Sequence, residues 1–290
     1  MIMKDVKGGL TTIMNKSLLL VNDVTGYGRV SCFAMTPILA AYGLHPYLLP
    51  TGLVSNTLDY GMSEILDTTD FMRAAVSKWR KLGFSFNTIA TGFINSDEQV
   101  DIILDLIDSQ DNPFVLVDPI MADSGELYDN MYPGAIECNR KLASRADVII
   151  PNFTEAAMLA GLYTDRFCLS DEEYIDLAAE ESKLGCKKLV ITSCRSCDGR
   201  MFNLVYDCLA GDKYDFLYYD EIEDSFIGTG DVFSAVLISE LMCGASLPAA
   251  VERAGEFVAD VITANLGRED HFDLYIEGCV ARLCENRFTL

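Results

Sequence analysis

Histidine is scarce in this 290-residue chain, which contains only His45 and His271. A Ser-His-Asp or Cys-His catalytic group needs a histidine beside its nucleophile, and these two are far apart in the sequence. The ten cysteines include one C-x-x-C pair, Cys194 and Cys197. A structural zinc ion would need two further ligands, which the sequence does not offer nearby. We therefore expect neither a histidine-dependent hydrolase nor a zinc protein, and we expect free thiols.

Basic side chains are also scarce, because 22 Lys and Arg stand against 44 Asp and Glu. Nucleic-acid phosphates need a basic footprint, so this balance argues against a nucleic-acid partner. No run of about 18 apolar residues occurs, so no membrane-spanning helix is predicted. Residues 1–16 lack the apolar segment of a signal peptide and predict a weakly ordered extension before a domain at 17–290. We expect a cytoplasmic protein.

Strands and helices alternate along the rest of the chain. Short apolar runs predict six strands, at residues 17–22, 46–49, 88–91, 114–118, 148–151 and 188–192, and a hairpin at 201–208 and 214–219. Helical patterns occupy residues 30–42, 67–81, 100–107, 154–160, 170–184, 231–242 and 247–264. The helix at 67–81 is expected to bury Phe71 and Val76 on one face. This order predicts a single doubly wound, three-layer α/β/α domain with a mostly parallel central sheet.

The segment 224–237 carries the strongest local signal. It passes through Gly228 and Gly230 and continues directly into an apolar helical pattern. Glycine allows a sharp turn and a close ligand approach, and the free amides that open a helix form an anion site. Asp231 lies at that site, where it could deprotonate a hydroxyl while the amides hold a phosphoryl group. The alternative is an ordinary turn in which Asp231 caps the helix.

Polar residues follow the predicted strands, and ligands in such sheets bind outside the carboxyl ends of the strands. Asp118 and Asp123 flank a turn after one strand, and Glu155 lies one turn into the helix after the next. Carboxylates of this kind hold Mg²⁺ together with substrate phosphates. Asn152 with Glu155 can also be read as an ordinary capping pair. Thr192-Ser193 could donate hydroxyls to phosphate or form a plain strand-end turn.

Neither a P-loop nor a protein-kinase His-Arg-Asp sequence is present. From residue 18 to residue 264, however, the chain resembles the ribokinase superfamily, and within it the pyridoxal/pyridoxamine (vitamin B6) kinases. The resemblance is carried by the order and spacing of six short motifs: Asn-Asp-Val-Thr-Gly-Tyr-Gly-Arg at 22–29, Ser-Asn at 55–56, Thr-Gly-Phe at 91–93, Val-Asp-Pro-Ile-Met-Ala-Asp at 117–123, Pro-Asn-Phe-Thr-Glu at 151–155 and Gly-Thr-Gly-Asp at 228–231.

The resemblance implies a ribokinase-like fold and a homodimeric cytosolic enzyme. Such an enzyme uses ATP with Mg²⁺, and often K⁺, to phosphorylate the 5′-hydroxymethyl group of a B6 vitamer. It implies that Asp231 is the general base and that the anion hole is formed by Gly228, Thr229 and Gly230. The implied metal and phosphate-water ligands are Asp118, Asp123 and Glu155. The implied nucleotide contacts are Asn152, Thr192, Ser193 and Thr229. The implied substrate contacts are Asp23, Thr51, Ser55 and Gly92.

The chain departs from the family pattern on the substrate side. Thr57-Leu58 stand where the family usually has His-Thr, Ala122 replaces a common Gly, and Ile150 replaces the usual Thr. The last change weakens the inference of K⁺. The phosphoryl half of the site thus matches better than the vitamer half. The alternatives are a hydroxymethylpyrimidine kinase, which generally has Cys where Asp231 stands, and a non-catalytic vitamer-binding paralogue; a sugar kinase fits less well.

Overall fold

The computed structural model of the chain describes residues 17–128, 131–162, 168–211 and 213–288, with side chains described up to residue 283. The expected extension, residues 1–16, lies outside these ranges. None of the helices within them combines the length and the hydropathy that a membrane span requires. The described chain contains no disulfide. Cys194 is buried against the carbonyl of Ile191 while Cys197 is exposed, so the C-x-x-C pair forms no common site.

The strands of the described chain are β1 Leu18–Thr25, β2 Pro46–Val54, β3 Ile65–Asp67, β4 Thr88–Thr91, β5 Phe114–Val117, β6 Ala122–Asp123, β7 Glu126–Leu127, β8 Val148–Ile149, β9 Lys188–Arg195, β10 Met201–Asp207 and β11 Tyr214–Tyr219. Nine of them form one sheet in the order β11-β10-β9-β8-β5-β4-β1-β2-β3, and β6 pairs with β7 alone. The strands from β9 to β2 in this order are parallel. The two edges are antiparallel.

The helices of the described chain are α1 Ser31–Ala41, α2 Thr69–Leu82, α3 Asp97–Asp108, α4 Ala135–Ala143, α5 Phe153–Leu159, α6 Asp171–Ser182, α7 Thr229–Met242, α8 Leu247–Asn265 and α9 Glu277–Phe288. Leu19 and Val21 of β1 belong to the core that includes α2 to α6, whereas Leu18 and Leu20 belong to the core that includes α1 and α7 to α9. One strand supplies both cores because successive side chains point to opposite faces. The predicted three-layer α/β/α architecture is thereby confirmed.

The ends of the first two strands were predicted wrongly. β1 continues through Asp23 and β2 continues through Thr51, although the sequence placed both residues after their strands. The strands stay paired because the register shifts between Asn22 and Val24. Such a shift admits an extra residue and re-aims the side chains around it. Asp23 and Thr51 therefore lie within strands, on two neighbours near the β3 edge of the sheet.

The predicted end of β9 was also wrong, because the strand continues past Thr192 and Ser193. A register shift opposite Asn203 of β10 accommodates these two residues. Ser193 adopts a left-handed conformation, with φ of 57°. β9 extends beyond the end of its parallel neighbour β8 because it stays paired with the antiparallel strand β10.

Every predicted helix is present, with ends within one turn of the predicted ones, but α4 and α9 were not predicted. α4 follows Gly134, which has φ of 104° and offers no side-chain cap, so the sequence lacks the usual start signal. The face predicted for α2 was wrong at Phe71, which is 56% exposed, because the helix buries Met72 and Val76.

Candidate active site

A small cavity of about 10 Å³, room for about one water molecule, lies at the carboxyl ends of β1, β4 and β5, beside the start of α7. At this place the order of strands reverses, with β2 on one side of β1 and β4 on the other, as at the ligand sites of open α/β sheets. The polar part of the cavity lining consists of Asn22, Thr91, Asp118, Asp231 and Ser234. The structure thus brings together the acid after the glycine turn and an acid from the middle strands.

The turn before α7 depends on Gly228, the N-cap residue, whose φ is 95°. A Cβ there would lie 2.4 Å from the carbonyl oxygen of Arg29, so only glycine fits. No side chain of the described chain caps this helix, so the amides of its first turn can face an anion. Thr229 turns its hydroxyl back to the carbonyl of Phe226 at 3.1 Å. A Cβ on Gly230 would meet nothing within 4 Å.

Asp231 lies in the first turn of α7 but does not cap the helix. Its Oδ2 accepts the backbone N–H of Ser31 at 2.7 Å, and Asn22 lines the same cavity. Burial raises the pKa of Asp231 to about 7; the hydrogen bond from Ser31 opposes this effect, the charge of Asp23 adds to it, and the polar side chain of Asn22 opposes it. The carboxyl therefore exchanges its proton near neutral pH, which suits a general base.

Asp118 follows β5 and is tied to α7 by Ser234, whose hydroxyl donates to Oδ2 at 2.6 Å. Burial raises the pKa of Asp118 to about 7; this hydrogen bond lowers it, and the charge of Asp231 raises it. Ser234 lies one turn after Asp231, so a single helix contacts or carries both carboxyls. Two like charges that share a site favour a proton or a cation between them. Mg²⁺ fits this donor set, since proteins hold it through one or two carboxylates plus phosphates.

Glu155 is buried and forms a capping box with Asn152 at the start of α5. Its Oε2 accepts the N–H of Asn152 at 2.9 Å, and its Oε1 accepts the amides of Met121 at 3.0 Å and Ala122 at 3.4 Å. Burial raises the pKa of Glu155 well above its usual range, and the charge of Asp118 adds to the effect. Its oxygens thus hold the loop after β5 against α5.

Of the three acids predicted to bind metal, Asp118 and Glu155 are close enough for the charge of Asp118 to raise the pKa of Glu155. Asp123 is exposed and its Oδ1 accepts the amide of Ser124 at 2.7 Å. In the part of the chain that the structure describes, no group of three or more His, Cys, Asp or Glu is arranged to hold a metal ion. Of Asp118, Asp123 and Glu155, only Asp118 lines the cavity. A cation here would depend on Asp118, with phosphate and water completing its coordination.

Two of the predicted nucleotide contacts lie together, because Asn152 and Thr192 form an isolated parallel bridge at the carboxyl ends of β8 and β9. The Nδ2 of Asn152 donates to the carbonyl of Ala122 at 2.7 Å, so its side chain is engaged in the capping region. The hydroxyl of Thr192 points to the carbonyl of Pro151 at 3.4 Å. Ser193 is exposed beside them.

The predicted substrate contacts divide into two groups. Asp23 is buried and accepts hydrogen bonds from the hydroxyls of Ser31 and of Thr25, the latter at 2.8 Å; burial raises its pKa. Gly92 lines the cavity. Thr51 instead supports the neighbouring loop, because its buried hydroxyl donates to the carbonyl of Phe93 at 2.7 Å.

Ser55, the fourth predicted substrate contact, is exposed on the loop after β2. Its hydroxyl donates to Asn56 Oδ1 at 2.7 Å and accepts the amide of Glu64 at 2.9 Å. The loop packs against the β1 loop through Thr57, whose N–H donates to the carbonyl of Tyr27 at 2.9 Å. Ser55 therefore lies outside the cavity that contains Asp231.

Three residues that contact the acids were missing from the sequence prediction: Asn22, Ser31 and Ser234. Ser234 could have been found, because its spacing from Asp231 places both on one helix face. The other two gave no signal. Ser31 contacts Asp231 only because the tertiary fold places the start of α7 next to the start of α1.

The mostly parallel sheet, wound on both faces and ending in a glycine turn before α7, is the fold of the ribokinase superfamily. Comparison with known proteins confirms this class and the predicted activity class, a pyridoxal-kinase-like phosphotransferase with a hydroxyl group as acceptor. Residues 38–273 match the model of the phosphomethylpyrimidine kinase family, and the chain belongs to that family.

Some similar proteins are named for B6 vitamers and others for hydroxymethylpyrimidine or phosphomethylpyrimidine. A proposed phosphomethylpyrimidine kinase of Bacteroides thetaiotaomicron has a crystal structure that is 32% identical over 95% of this chain and 96% of its own, with a TM-score of 0.87. A second crystal form of it contains pyridoxal. The pyridoxine/pyridoxal/pyridoxamine kinase of Bordetella avium is 26% identical over 81% of both chains. The hydroxymethylpyrimidine/phosphomethylpyrimidine kinase of Haemophilus influenzae is 29% identical over 65% of this chain and 70% of its own.

Proposed function

We propose that this chain uses ATP and Mg²⁺ to phosphorylate the 5′-hydroxymethyl group of a vitamin B6 vitamer. The observation that carries the proposal is the Asp231 carboxyl, held in a cavity with Asp118 directly after the Gly228 turn. Pyridoxal in a crystal of the Bacteroides thetaiotaomicron relative supports the vitamer as substrate. Kinases named for B6 vitamers are among the similar proteins, including that of Bordetella avium.

In this proposal, Asp231 accepts the proton of the 5′-hydroxyl as the hydroxyl oxygen attacks the γ-phosphorus of ATP. The bond between the γ-phosphorus and the β–γ bridging oxygen breaks, and ADP leaves. The amides from Gly228 to Gly230 stabilise the charge on the phosphoryl group in transit. Asp118 would hold Mg²⁺, which neutralises phosphate charge when bound. We assign Asn152, Thr192, Ser193 and Thr229 to contacts with the nucleotide, and Asp123 and Glu155 to the metal ion and the water around the phosphates. We assign Asp23, Thr51, Ser55 and Gly92 to contacts with the vitamer.

Hydroxymethylpyrimidine is the second candidate substrate. The family name and the Haemophilus influenzae relative favour it. The resemblance noted above opposes it, because hydroxymethylpyrimidine kinases generally have Cys where this chain has Asp231. Both substrates present a primary alcohol on a nitrogen heterocycle, so the chemistry at Asp231 is the same for either one.

The deciding experiment compares wild-type enzyme with Asp231→Asn. Wild-type enzyme is expected to consume ATP with pyridoxal, pyridoxamine or pyridoxine, and mass spectrometry should show the 5′-phosphate. Asp231→Asn should lose at least about 100-fold in kcat while it still binds ATP, as loss of a general base predicts. The exposed Asp220→Asn in the preceding loop is the matched control. Turnover of hydroxymethylpyrimidine alone would select the second candidate, and turnover of none would indicate a non-catalytic paralogue.

We also propose that the enzyme works in the cytoplasm as a homodimer. The support is an apolar surface along β2, β3 and α2, with exposed side chains at Tyr47, Leu48, Leu66 and Phe71. An apolar surface of this kind typically marks an interface. Ile150 at the carboxyl end of β8 leaves no side-chain oxygen for K⁺ at that position, so a K⁺ ion would depend on other oxygens, backbone carbonyls among them.

A further inference from the structure

Ser31 has an unusual backbone conformation at the edge of the proposed site. It is the first residue of α1, it is buried, and its φ is 51°. A non-glycine residue in the left-handed region is strained and persists only where its surroundings hold it there. No side-chain hydrogen bond caps α1 in the described chain, so helix capping does not account for the conformation.

The conformation lets Ser31 contact two acids at once. Its N–H donates to Asp231 Oδ2 at 2.7 Å, and its hydroxyl donates to Asp23 Oδ1. Asp231 is therefore joined through one residue to the acid on the vitamer side. An ordinary helical conformation at residue 31 would rotate the amide and the side chain together. The amide bond to Asp231 and the hydroxyl bond to Asp23 could then not both form.

Asn22 lines the same cavity as Asp231 but is held by other partners. Its Oδ1 accepts the amides of Asp23 at 3.0 Å and Phe93 at 2.8 Å, which fixes the orientation of the side-chain amide. Its Nδ2 donates to the Sδ of Met35 at 3.7 Å. Among the described residues, the N–H of Ser31 is therefore the hydrogen-bond donor that holds the Asp231 carboxyl.

We propose that Ser31 is a positioning residue for the phosphoryl transfer, with its amide orienting Asp231 and its hydroxyl orienting Asp23. This inference rests on the proposed function, in which Asp231 is the base and Asp23 faces the vitamer. One strained residue then fixes the base relative to the vitamer. A small displacement of a reacting group can cost about 100-fold in rate, so a dedicated positioning residue has a clear effect.

The test compares Ser31→Ala with Ser31→Gly. Glycine adopts φ of 51° without strain, so it should keep the amide bond to Asp231 and lose only the bond to Asp23. Ser31→Gly should therefore raise the KM for the vitamer about tenfold, with the KM for ATP unchanged and kcat nearly so. Alanine is strained there and should relax out of the conformation, so Ser31→Ala should lower kcat about tenfold to 100-fold.

A matched control separates positioning from folding. Asn112 is exposed, far from the site in the fold, and has φ of 49° without being glycine. Asn112→Ala carries the same backbone strain and should lower the melting temperature without changing kcat or KM per folded enzyme. If both Ser31 variants keep wild-type kcat and vitamer KM, the positioning role is wrong. If Asp231→Asn is also fully active, the proposed function itself fails, which distinguishes the two failures.

Discussion

At the scale of single residues, the central feature is that two carboxyls share one cavity. Burial raises the pKa of both Asp118 and Asp231 to about 7, and each is further raised by the charge of the other or of Asp23. Burial and the neighbouring charges thus disfavour the ionised form of each carboxyl. A cation bound at Asp118 would favour the ionised, basic form of the neighbouring Asp231 carboxyl.

The pKa of Asp231 gives a prediction for the pH dependence. A base must be deprotonated to act, so a pKa raised to about 7 makes kcat/KM rise with pH and level off above about 7. Below that value, the rate should fall about tenfold per pH unit. The measurement is kcat/KM for the vitamer from pH 5.5 to 8.5, with the folded fraction checked at each pH. A rate that stays constant down to pH 5.5 would contradict the assignment of Asp231 as base.

At the scale of elements, the start of α7 is the part of the fold that makes the site. Gly228 allows the chain to turn beside Arg29. The helix that follows carries Asp231 into the cavity, and its Ser234 hydroxyl holds Asp118 there. The two glycines of the turn are not equivalent. Gly228 has φ of 95° and no room for a Cβ, whereas a Cβ on Gly230 meets nothing within 4 Å.

This difference predicts unequal effects of alanine at the two glycines. Gly228→Ala should destabilise the fold by about 1–3 kcal/mol and abolish most activity, because strain and the contact with Arg29 would displace the turn. Gly230→Ala should leave the melting temperature within a few degrees of wild type. Thermal unfolding and ATP turnover of both variants provide the check. Equal loss of stability in both would show that the turn is held by something other than Gly228.

At the scale of the whole molecule, one edge of the sheet and the helix beside it carry several exposed apolar side chains. Tyr47 is 55% exposed, Leu66 is 61% exposed and Phe71 is 56% exposed, all on β2, β3 or α2. β3 is the edge strand on that side. A second copy of the chain would cover this surface, as the proposed homodimer requires.

The double variant Leu66→Glu, Phe71→Glu should therefore be a monomer if the wild type is a dimer. Charges in the centre of an interface would remain unpaired and desolvated, which opposes association. The control is Leu209→Glu, because Leu209 is 77% exposed in the turn beyond β10, at the other end of the sheet. Sedimentation velocity measures the outcome. A wild-type monomer, or a double variant that remains dimeric, would reject this interface.

Much of the fold was predictable because its signals are local. Apolar runs between turn residues identified the strands at 114–117 and 214–219, and capping patterns identified α6 through Ser170 and Glu173. The continuation of β1 through Asp23 and of β9 through Thr192 was not predictable, since it depends on register shifts between neighbouring strands. α4 was missed because Gly134 gives no side-chain cap.

The amino-acid sequence by itself determined the α/β architecture, the kinase class and the presence of an acid after a glycine turn. The architecture and the glycine turn follow from local patterns of apolar and turn residues. The kinase class follows from the resemblance to a known family that six short motifs carry. Only the tertiary structure decided which acids share a cavity, and it chose Asp118 and Asp231 while leaving Asp123 exposed. It also decided that Ser31 supports the carboxyl of Asp231, 200 residues away. Contacts of this length depend on how helices and strands pack, because no local pattern encodes the distance between elements.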